Sequence, residues 1–311
     1  MDLKKFKPVH WVYNLIHYQS VKHNKEAYKK FHLNKPLIAS ISSKDFPDRT
    51  SRAWLDISDS RAVASKKPLF HSFPEPVQKK ILDWSDNGYL ILEKLFTNEE
   101  CDHINAEIDR LQKHGDLTFN NSNKLMFANR KSKLIKSVTN TPLLKSVLEF
   151  LLDKEVVAFQ TINFLRGSEQ RAHSDSIHMT TYPLGYLIAA WIALEDITDE
   201  NGPLFYYPGS HQLPYLLNND FNEGETPLTL GKKNYSDYED RIDDILKESP
   251  FKKQVFRARK GDTLIWHANL VHGGMPILNP ATTRKSMVIH YYATDVIKYH
   301  EITERPSLIQ E

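Results

Sequence analysis

The sequence predicts an α+β protein with a mainly β core, in which a helical first half packs around a strand-rich second half closed into a jelly roll. Two observations support this fold class. Between residues 75 and 152, apolar side chains recur at the helical spacing of three and four residues. From Val156 onward, the apolar segments are short, rich in β-branched and aromatic residues, and bounded by Gly, Pro and Asn. A chain of 311 residues has room for one such core with extensions.

Three helices are predicted before the period changes. The first runs from Glu75 to Asp86 and ends at Asn87-Gly88, after which residues 89–92 have the composition of a strand. The second begins at the capping box Thr97-Asn98-Glu99-Glu100. The third begins at Pro142, because proline is favoured at the first helical position.

Six strands are predicted in the second half. They run from Val156 to Leu165, Tyr186 to Leu194, Leu204 to Tyr207, Gln254 to Ala258, Thr263 to Trp266, and Ser286 to Tyr292. A polar insert at residues 213–251 separates the third strand from the fourth and contains a helical pattern at 238–248. Because a long insert between strands is often a lid or a binding loop, we expect that role here.

The chain is predicted to divide near Pro74. Residues 1–73 show no sustained helical or strand period, so we expect an N-terminal extension that is packed on the core or partly disordered. Residues 74–311 form the predicted β domain with its helices and insert.

Composition excludes several functional classes. The chain has 41 basic and 39 acidic residues, a net charge of +2, which predicts neither nucleic acid nor a membrane as partner. Its one cysteine, Cys101, excludes an internal disulfide framework and indicates a reducing compartment, with the cytoplasm as the expected location. A small-molecule substrate is the expected partner, and the oligomeric state is not predicted.

The strand-rich half contains a pattern suited to a metal ion. In His173-Ser174-Asp175, an imidazole and a carboxylate two residues apart project to the same side of an extended backbone. His267 or His272, both after the predicted strand 263–266, can complete a set of two histidines and one carboxylate, which is associated with non-haem Fe(II) oxygenases. Arg284 can supply a planar fork for a carboxylate of a 2-oxo acid.

Spacing alone does not single out this set. The chain has 14 histidines and a second His-x-Asp copy, His114-Gly115-Asp116, at the end of a predicted helix. Because Gly115 is typical of a helix terminus and no strand aligns the two side chains, we interpret this copy as a solvated helix end.

Between Trp84 and Tyr292, six motifs follow one another in a fixed order. They are Gly88 to Leu92, His173-Ser174-Asp175, Trp191 to Asp196, the run NGPLFYYPGSH from Asn201 to His211, Gly261-Asp262-Thr263, and Val271-His272-Gly273-Gly274 leading to Arg284. Together they resemble the phytanoyl-CoA dioxygenase family of Fe(II)- and 2-oxoglutarate-dependent oxygenases. The run from Asn201 to His211 is the most specific of them.

The resemblance implies a double-stranded β-helix, the cupin-like jelly roll, with Fe(II), 2-oxoglutarate and O2 as cofactor and cosubstrates. It implies iron on His173, Asp175 and His272, because the family ligand is the histidine followed by glycine. It also implies that Arg284 binds the cosubstrate carboxylate. A polar residue on the first strand of the β half is expected to contact the cosubstrate as well. The candidates for that contact are Gln160, Thr161 and Asn163.

The expected reaction is hydroxylation of an unactivated carbon of a small molecule, with 2-oxoglutarate and O2 converted to succinate and CO2. Asp175 favours hydroxylation, since halogenating relatives have Gly or Ala at that position. Gly274 departs from the pattern, because many relatives have Ser there. The alternatives are desaturation, epimerisation or cyclisation by the same iron chemistry, a zinc hydrolase, and a non-catalytic jelly-roll module that binds a metal or ligand.

The residues that flank the motifs are candidate substrate contacts. They are Arg171, His178, Tyr182, His211, Trp266, His267 and Asn269. Each also has a structural interpretation, such as a core position for Trp266 or a backbone cap for His211.

Overall fold

The computed structural model describes residues 5–46, 53, 60–120 and 122–308. The strands are β1 (Tyr89–Leu92), β2 (Leu125–Met126), β3 (Val156–Phe164), β4 (Thr180–Tyr182), β5 (Leu187–Ala193), β6 (Leu204–Tyr206), β7 (Gln254–Phe256), β8 (Thr263–His267), β9 (His272–Gly274), β10 (Ser286–Ala293), β11 (Ile297–His300) and β12 (Arg305–Pro306). The helices are α1 (Lys7–Ile16), α2 (Tyr18–Val21), α3 (Lys25–Lys30), α4 (Ser60–Ala64), α5 (Glu75–Leu82), α6 (Trp84–Asn87), α7 (Asn98–Lys113), α8 (Lys133–Val138), α9 (Pro142–Leu152), α10 (Asn218–Phe221) and α11 (Tyr235–Glu248).

Two antiparallel sheets form the core of the domain. The larger has the strand order β1-β8-β5-β10-β3-β2 and the smaller has the order β7-β6-β9. Trp191, Leu264 and Val288 of the larger sheet pack with Leu204 and Phe256 of the smaller one. This arrangement is a double-stranded β-helix with flanking helices, so the predicted fold class is confirmed.

The outer face of the larger sheet is covered by helices. Alternate residues of β5, such as Ile188 and Ile192, point away from the smaller sheet and pack with Ile104 of α7 and Leu148 of α9. Strand β5 is buried on both faces, which explains its unbroken apolar sequence.

The predicted helix boundaries follow from local signals that the structure contains. The Oγ1 of Thr97 accepts a hydrogen bond from the backbone N–H of Glu100 at 3.2 Å, and the Glu100 carboxylate accepts one from the N–H of Thr97 at 2.8 Å. Gly88 ends α6 with a φ of +72°, and a Cβ there would lie 2.4 Å from the ring of His211. Glycine at position 88 therefore serves both the left-handed turn and a close approach between two of the sequence motifs.

Part of the N-terminal extension is helical, which the sequence analysis did not predict. Helices α1 to α3 lie within residues 7–30, and Lys7 of α1 forms salt bridges with Glu225 at 2.5 Å and Glu304 at 2.7 Å. These bridges tie the extension to the insert and to the C-terminal segment. Residues 1–4, 47–52 and 54–59, which the same prediction covered, lie outside the described residues.

The C-terminal segment adds a small third sheet with the order β12-β11-β4, which was also not predicted. Tyr182 of β4 stacks on Phe46 with ring centroids 4.2 Å apart, so the N-terminal extension packs directly against this sheet.

Helix α11 begins three residues earlier than the helical pattern in the sequence, because Asn234 caps it by accepting from the N–H of Ser236 at 3.0 Å. No helix in the described part of the chain is long and apolar enough to cross a membrane.

Candidate metal centre

Three side chains converge in the space between the two sheets. Oδ1 of Asp175 lies 4.0 Å from Nε2 of His173 and 3.8 Å from Nε2 of His272. All three ligand atoms lie within 4.8 Å of one another, and all three residues are buried. Two imidazole nitrogens and one carboxylate oxygen at this separation can bind a single metal ion on one face.

The backbone brings the two histidines together. The N–H of His173 donates to the carbonyl of His272 at 3.0 Å, and the N–H of His272 donates to the carbonyl of His173 at 2.9 Å. This reciprocal pair joins the His173 segment to β9. A side chain at Gly273 would place its Cβ 2.5 Å from the ring of Phe205 and 2.6 Å from the carbonyl of Gln170. Glycine after His272 thus permits the close approach of these segments.

The ring hydrogen bonds fix which nitrogen of each histidine faces the metal position. Nδ1 of His173 donates to the carbonyl of Arg171 at 2.8 Å, and Nδ1 of His272 donates to the carbonyl of Leu270 at 3.0 Å. With the proton on Nδ1, each Nε2 keeps a lone pair that points into the cavity.

The carboxylate of Asp175 is held on one side. Its Oδ2 accepts a hydrogen bond from Nε1 of Trp266 at 2.8 Å, and Nε2 of His290 lies 3.5 Å from the same oxygen. The side-chain amide of Gln160 donates to Nδ1 of His290 at 3.2 Å, which places the ring proton on the nitrogen that faces Asp175. Oδ1 is therefore the oxygen left for a metal.

The electrostatics of the site suit metal binding. Burial lowers the pKa of His173 to about 3, and a positive charge on His272 would further oppose protonation of His173. Burial opposes ionisation of Asp175, but the imidazoles of His272, His290 and His173 outweigh it and hold its pKa below the ordinary value. A neutral imidazole and an ionised carboxylate are the forms that coordinate metals.

The triad opens into a cavity of about 340 Å³. Arg284 lies in the wall, 2% exposed, with its guanidinium carbon 5.4 Å from the centre of the Phe164 ring and 5.6 Å from that of Trp191. Its Nε has no hydrogen-bond partner among the described residues, and one Nη reaches a carbonyl only at 3.5 Å. Burial lowers the pKa of Arg284 to about 10, against the charge of Glu195, so the side chain stays cationic at neutral pH. A buried cation with unused donors indicates a site for an anion.

Strand alternation separates the three candidates on β3. Gln160 lines the cavity, as do Ile162 and Phe164 on the same side of the strand. Thr161 and Asn163 do not line it, because successive residues of a strand face opposite sides. Thr161 instead donates to Asn129 at 3.2 Å. Of the three, the structure brings Gln160 to the cavity and leaves the two alternatives, Thr161 and Asn163, outside it.

Of the seven predicted substrate contacts, His178 and Trp266 line the cavity. Trp266 is bound to Asp175, as described above. The ring of His178 lies against Tyr235 of α11, with centroids 4.5 Å apart, and burial lowers its pKa well below the ordinary value. A neutral imidazole at this position can donate or accept a hydrogen bond.

The other five candidates do not line this cavity and have contacts of their own elsewhere. Arg171 forms ion pairs with Asp240 and Asp243 of α11. Tyr182 packs on Phe46, and Asn269 donates to the carbonyls of His211 and Leu213 at 3.1 and 2.8 Å. The ring of His211 packs against that of His267, with centroids 5.3 Å apart, and the ring of His267 also lies near Trp84.

Seven polar residues that line the cavity were not predicted from the sequence: Asn120, Ser122, Lys124, Ser168, Gln170, His290 and His300. His290 had a detectable signal, because it lies six residues after Arg284, and in extended chain this even spacing puts both side chains on the same side. His300 lies on the unpredicted β11, and Lys124 precedes a two-residue strand, so neither had a periodic pattern to reveal it.

The second His-x-Asp copy is a helix end, as predicted. His114 caps α7 at its C-terminus, Nδ1 of its ring donates to the carbonyl of Arg110 at 2.8 Å, and Gly115 follows with a φ of +77°. The side chain of His114 is exposed.

The family model of phytanoyl-CoA dioxygenase (PhyH) matches residues 84–286, nearly two thirds of the chain. The chain belongs to the phytanoyl-CoA dioxygenase family. This family lies within the Fe(II)- and 2-oxoglutarate-dependent oxygenase superfamily, as the motifs indicated. The matched region of this chain begins at α6 and contains the triad and Arg284.

Individual relatives of this phytanoyl-CoA dioxygenase family member are distant. Phytanoyl-CoA dioxygenase domain-containing protein 1 of Danio rerio is 24% identical over 247 residues, which cover 60% of this chain and 80% of the relative. The carbocyclase SnoK from nogalamycin biosynthesis, described as non-haem and α-ketoglutarate-dependent, superposes with a TM-score of 0.61 at 15% identity, over 78% of this chain and 95% of SnoK. EctD from S. alaskensis, solved with 2-oxoglutarate and 5-hydroxyectoine, gives a TM-score of 0.57 at 18% identity, over 79% of this chain and 89% of EctD. These two structures support the fold.

Proposed function

We propose that this protein is an Fe(II)- and 2-oxoglutarate-dependent dioxygenase that hydroxylates a small, polar molecule. The observation that carries the proposal is the pairing of a buried His173, Asp175 and His272 triad with a buried, under-bonded Arg284 in the same cavity. The triad would bind a metal, and Arg284 would bind an anion. A zinc hydrolase has no evident use for the buried anion site.

The donor set fits ferrous iron. Two neutral imidazoles and one carboxylate on a single face leave three positions of an octahedron for exogenous ligands. Bound iron and 2-oxoglutarate would together activate O2 for oxidation of a substrate C–H bond, with succinate and CO2 as coproducts.

The chain's own residues would bind, orient and shield the reactants. The guanidinium of Arg284 would bind the distal carboxylate of 2-oxoglutarate through two parallel hydrogen bonds. Lys124 lines the same cavity, and its Nζ donates to Gln170 at 3.3 Å, so a second cation is available for an anionic ligand. The apolar rings of Phe164 and Trp191 keep water from the guanidinium, which strengthens its attraction for a carboxylate.

Ser168 offers a replacement for the serine that many relatives have at position 274. A Cβ on Gly274 would lie 2.6 Å from Oγ of Ser168, and Ser168 lines the cavity. We infer that Ser168 supplies, from the neighbouring loop, the hydroxyl that position 274 lacks.

The substrate is proposed to be small and polar because of the cavity's size and lining. A volume of about 340 Å³ must hold the cosubstrate as well as the substrate, and it lies at the small end of the range for ligand pockets. His178 and His300 face this space, and burial lowers the pKa of His300 to about 4, so it acts as a neutral hydrogen-bonding group. Hydroxylation is favoured over halogenation because Asp175 occupies the ligand position that a halide would need.

The experiment that tests this function is a coupled product assay. Purified protein with Fe(II), ascorbate and 2-oxoglutarate is incubated with a panel of small polar compounds, and succinate and oxidised product are measured together. Formation of both in equal amounts supports the proposal, and a mass gain of one oxygen identifies hydroxylation. Hydrolysis of a panel compound without use of 2-oxoglutarate would instead favour a zinc hydrolase.

Trp266→Phe is expected to weaken metal binding about 10- to 100-fold, the range for partners that hold a metal-binding side chain. The indole N–H holds Oδ2 of Asp175, and without it the carboxylate can rotate away from the position that presents Oδ1. The measurement is anaerobic Fe(II) titration, together with thermal unfolding of the metal-free protein.

Trp84→Phe is the matched control, because Trp84 is equally buried but packs in the core between the larger sheet and the helices. Equal iron affinities of the two variants would show that the hydrogen bond to Asp175 has no part in metal binding.

A further inference from the structure

Helix α1 exposes an apolar face. In the described residues, six of the twelve exposed large apolar side chains fall within residues 9–18. Val12, Leu15 and Ile16 are 56%, 60% and 72% exposed. Val9, Val12, Tyr13 and Ile16 have the spacing that aligns side chains along one face of a helix.

The side of α1 that packs on the protein is polar. Lys7 and Asn14 are buried, and Trp11 lies between them on the same side. Asn14 donates to the carbonyl of Ile38 at 3.1 Å, and Nε1 of Trp11 donates to Oγ of Ser40 at 2.9 Å. A surface helix normally buries its apolar face, so this reversed orientation indicates that the exposed face has a binding partner.

Charge identifies the kind of partner. Residues 1–35 contain eight lysines and two acidic residues, a net charge of +6 in the sequence, and of these lysines Lys7, Lys30 and Lys35 pair with acidic residues outside this range. Lys22, Lys25 and Lys29, in and before α3, are exposed and have no acidic partner among the described residues. Residues 22–30 are helical, so a spacing of three and four residues places these lysines along one side of that segment.

We propose that the N-terminal segment, residues 7–30, is a peripheral docking element for an anionic lipid bilayer. The apolar residues of α1 would enter the boundary between head groups and acyl chains, and the lysines would contact anionic head groups. Tyr13 and Tyr18, which are exposed, add aromatic rings of the type that concentrate at membrane interfaces.

A second copy of the chain is a poorer occupant of this face. A symmetric dimer through α1 would bring together two lysine-rich segments, each with Lys22, Lys25 and Lys29 exposed, and like charges in contact oppose association. The proposal does not depend on the oxygenase chemistry, since the apolar face of α1 is separate from the cavity between the sheets.

The test is flotation of the full chain with vesicles of equal parts phosphatidylcholine and phosphatidylserine. We expect binding at low salt, release at high salt, and no binding to phosphatidylcholine alone, because the lysine contribution is screened by salt. Ile16→Ser should weaken partitioning about tenfold or more, since an isoleucine side chain no longer leaves water. The double variant Lys25→Ser/Lys29→Ser should weaken it about 25-fold, which is about fivefold for each lysine.

Two controls match these variants. Leu278→Ser changes an equally exposed apolar residue elsewhere, and Lys131→Ser/Lys133→Ser removes two exposed lysines from another surface. Both should bind vesicles as the wild type does. The proposal is overturned if the wild type stays unbound at low salt, if Ile16→Ser and Leu278→Ser bind equally, or if the wild type sediments as a dimer that Ile16→Ser converts to a monomer.

Discussion

His173→Ala is expected to abolish iron-dependent formation of succinate, reducing it to the level of a reaction without protein. The variant loses one of three metal ligands, and the remaining His272 and Asp175 provide two donor atoms. Metal content after iron loading should fall in parallel with turnover. Both are measured on the same preparation, by metal analysis and by chromatographic detection of succinate.

His114→Ala is the control for this variant, because it removes the histidine of the other His-x-Asp copy from an exposed helix end. It should keep full iron content and turnover. If His173→Ala keeps both as well, the triad is not the metal site.

Arg284→Met is expected to weaken binding of 2-oxoglutarate by about thirtyfold to a few thousandfold, the equivalent of roughly 2–5 kcal/mol for loss of one partner of a buried charge pair. Methionine fills similar space but cannot donate to a carboxylate. The affinity of Arg284→Lys for 2-oxoglutarate should lie between those of the wild type and Arg284→Met, since lysine keeps the charge and loses the planar fork. The measurement is the dissociation constant of 2-oxoglutarate with the metal-loaded protein.

The fold should survive this substitution. In the absence of an anion, Arg284 is a buried charge with few partners, so replacing it with an apolar residue relieves a desolvation cost. Thermal unfolding without 2-oxoglutarate should therefore show no loss of stability. Arg257→Met removes an exposed arginine paired with Asp199 and serves as the control. Equal 2-oxoglutarate affinity in Arg284→Met and Arg257→Met would rule out Arg284 as the carboxylate partner.

The β core could be predicted because its signals are local. Strands β3, β5, β8 and β10 are largely buried and rich in β-branched and aromatic residues, and their predicted ends differ from the observed ones by one residue at most. Helix α7 could be predicted for the same reason, since the capping box at Thr97 fixes its start. The short strands β4, β9 and β11 were missed because pairing with distant segments, rather than composition, creates them.

The triad was predicted from residue type and family pattern, but the other cavity residues depended on tertiary placement. Trp266 was expected to contact substrate, and its indole instead binds Asp175. Arg171 was expected there too, and the acidic side of α11 holds it outside the cavity. Flanking position in sequence does not determine which side of a loop a side chain occupies.

The net charge of the whole chain conceals an excess of positive charge in the N-terminal segment. The net charge of +2 predicted no membrane partner, yet it combines +6 in residues 1–35 with −4 elsewhere. The docking proposal departs from the composition-based prediction for this reason. Helix α1 escaped prediction because its helical spacing extends over only ten residues, within a stretch that shows no sustained period.

The most direct test of the iron and 2-oxoglutarate assignment is an anaerobic spectroscopic titration of the wild-type protein. Fe(II) is added first and 2-oxoglutarate second, and the visible absorption is followed at each step. We predict one iron per chain and a new charge-transfer band that requires both additions and fades when O2 is admitted. Stoichiometric iron binding with no spectral change on adding 2-oxoglutarate, or 2-oxoglutarate binding that is unaffected by iron, would contradict the assignment.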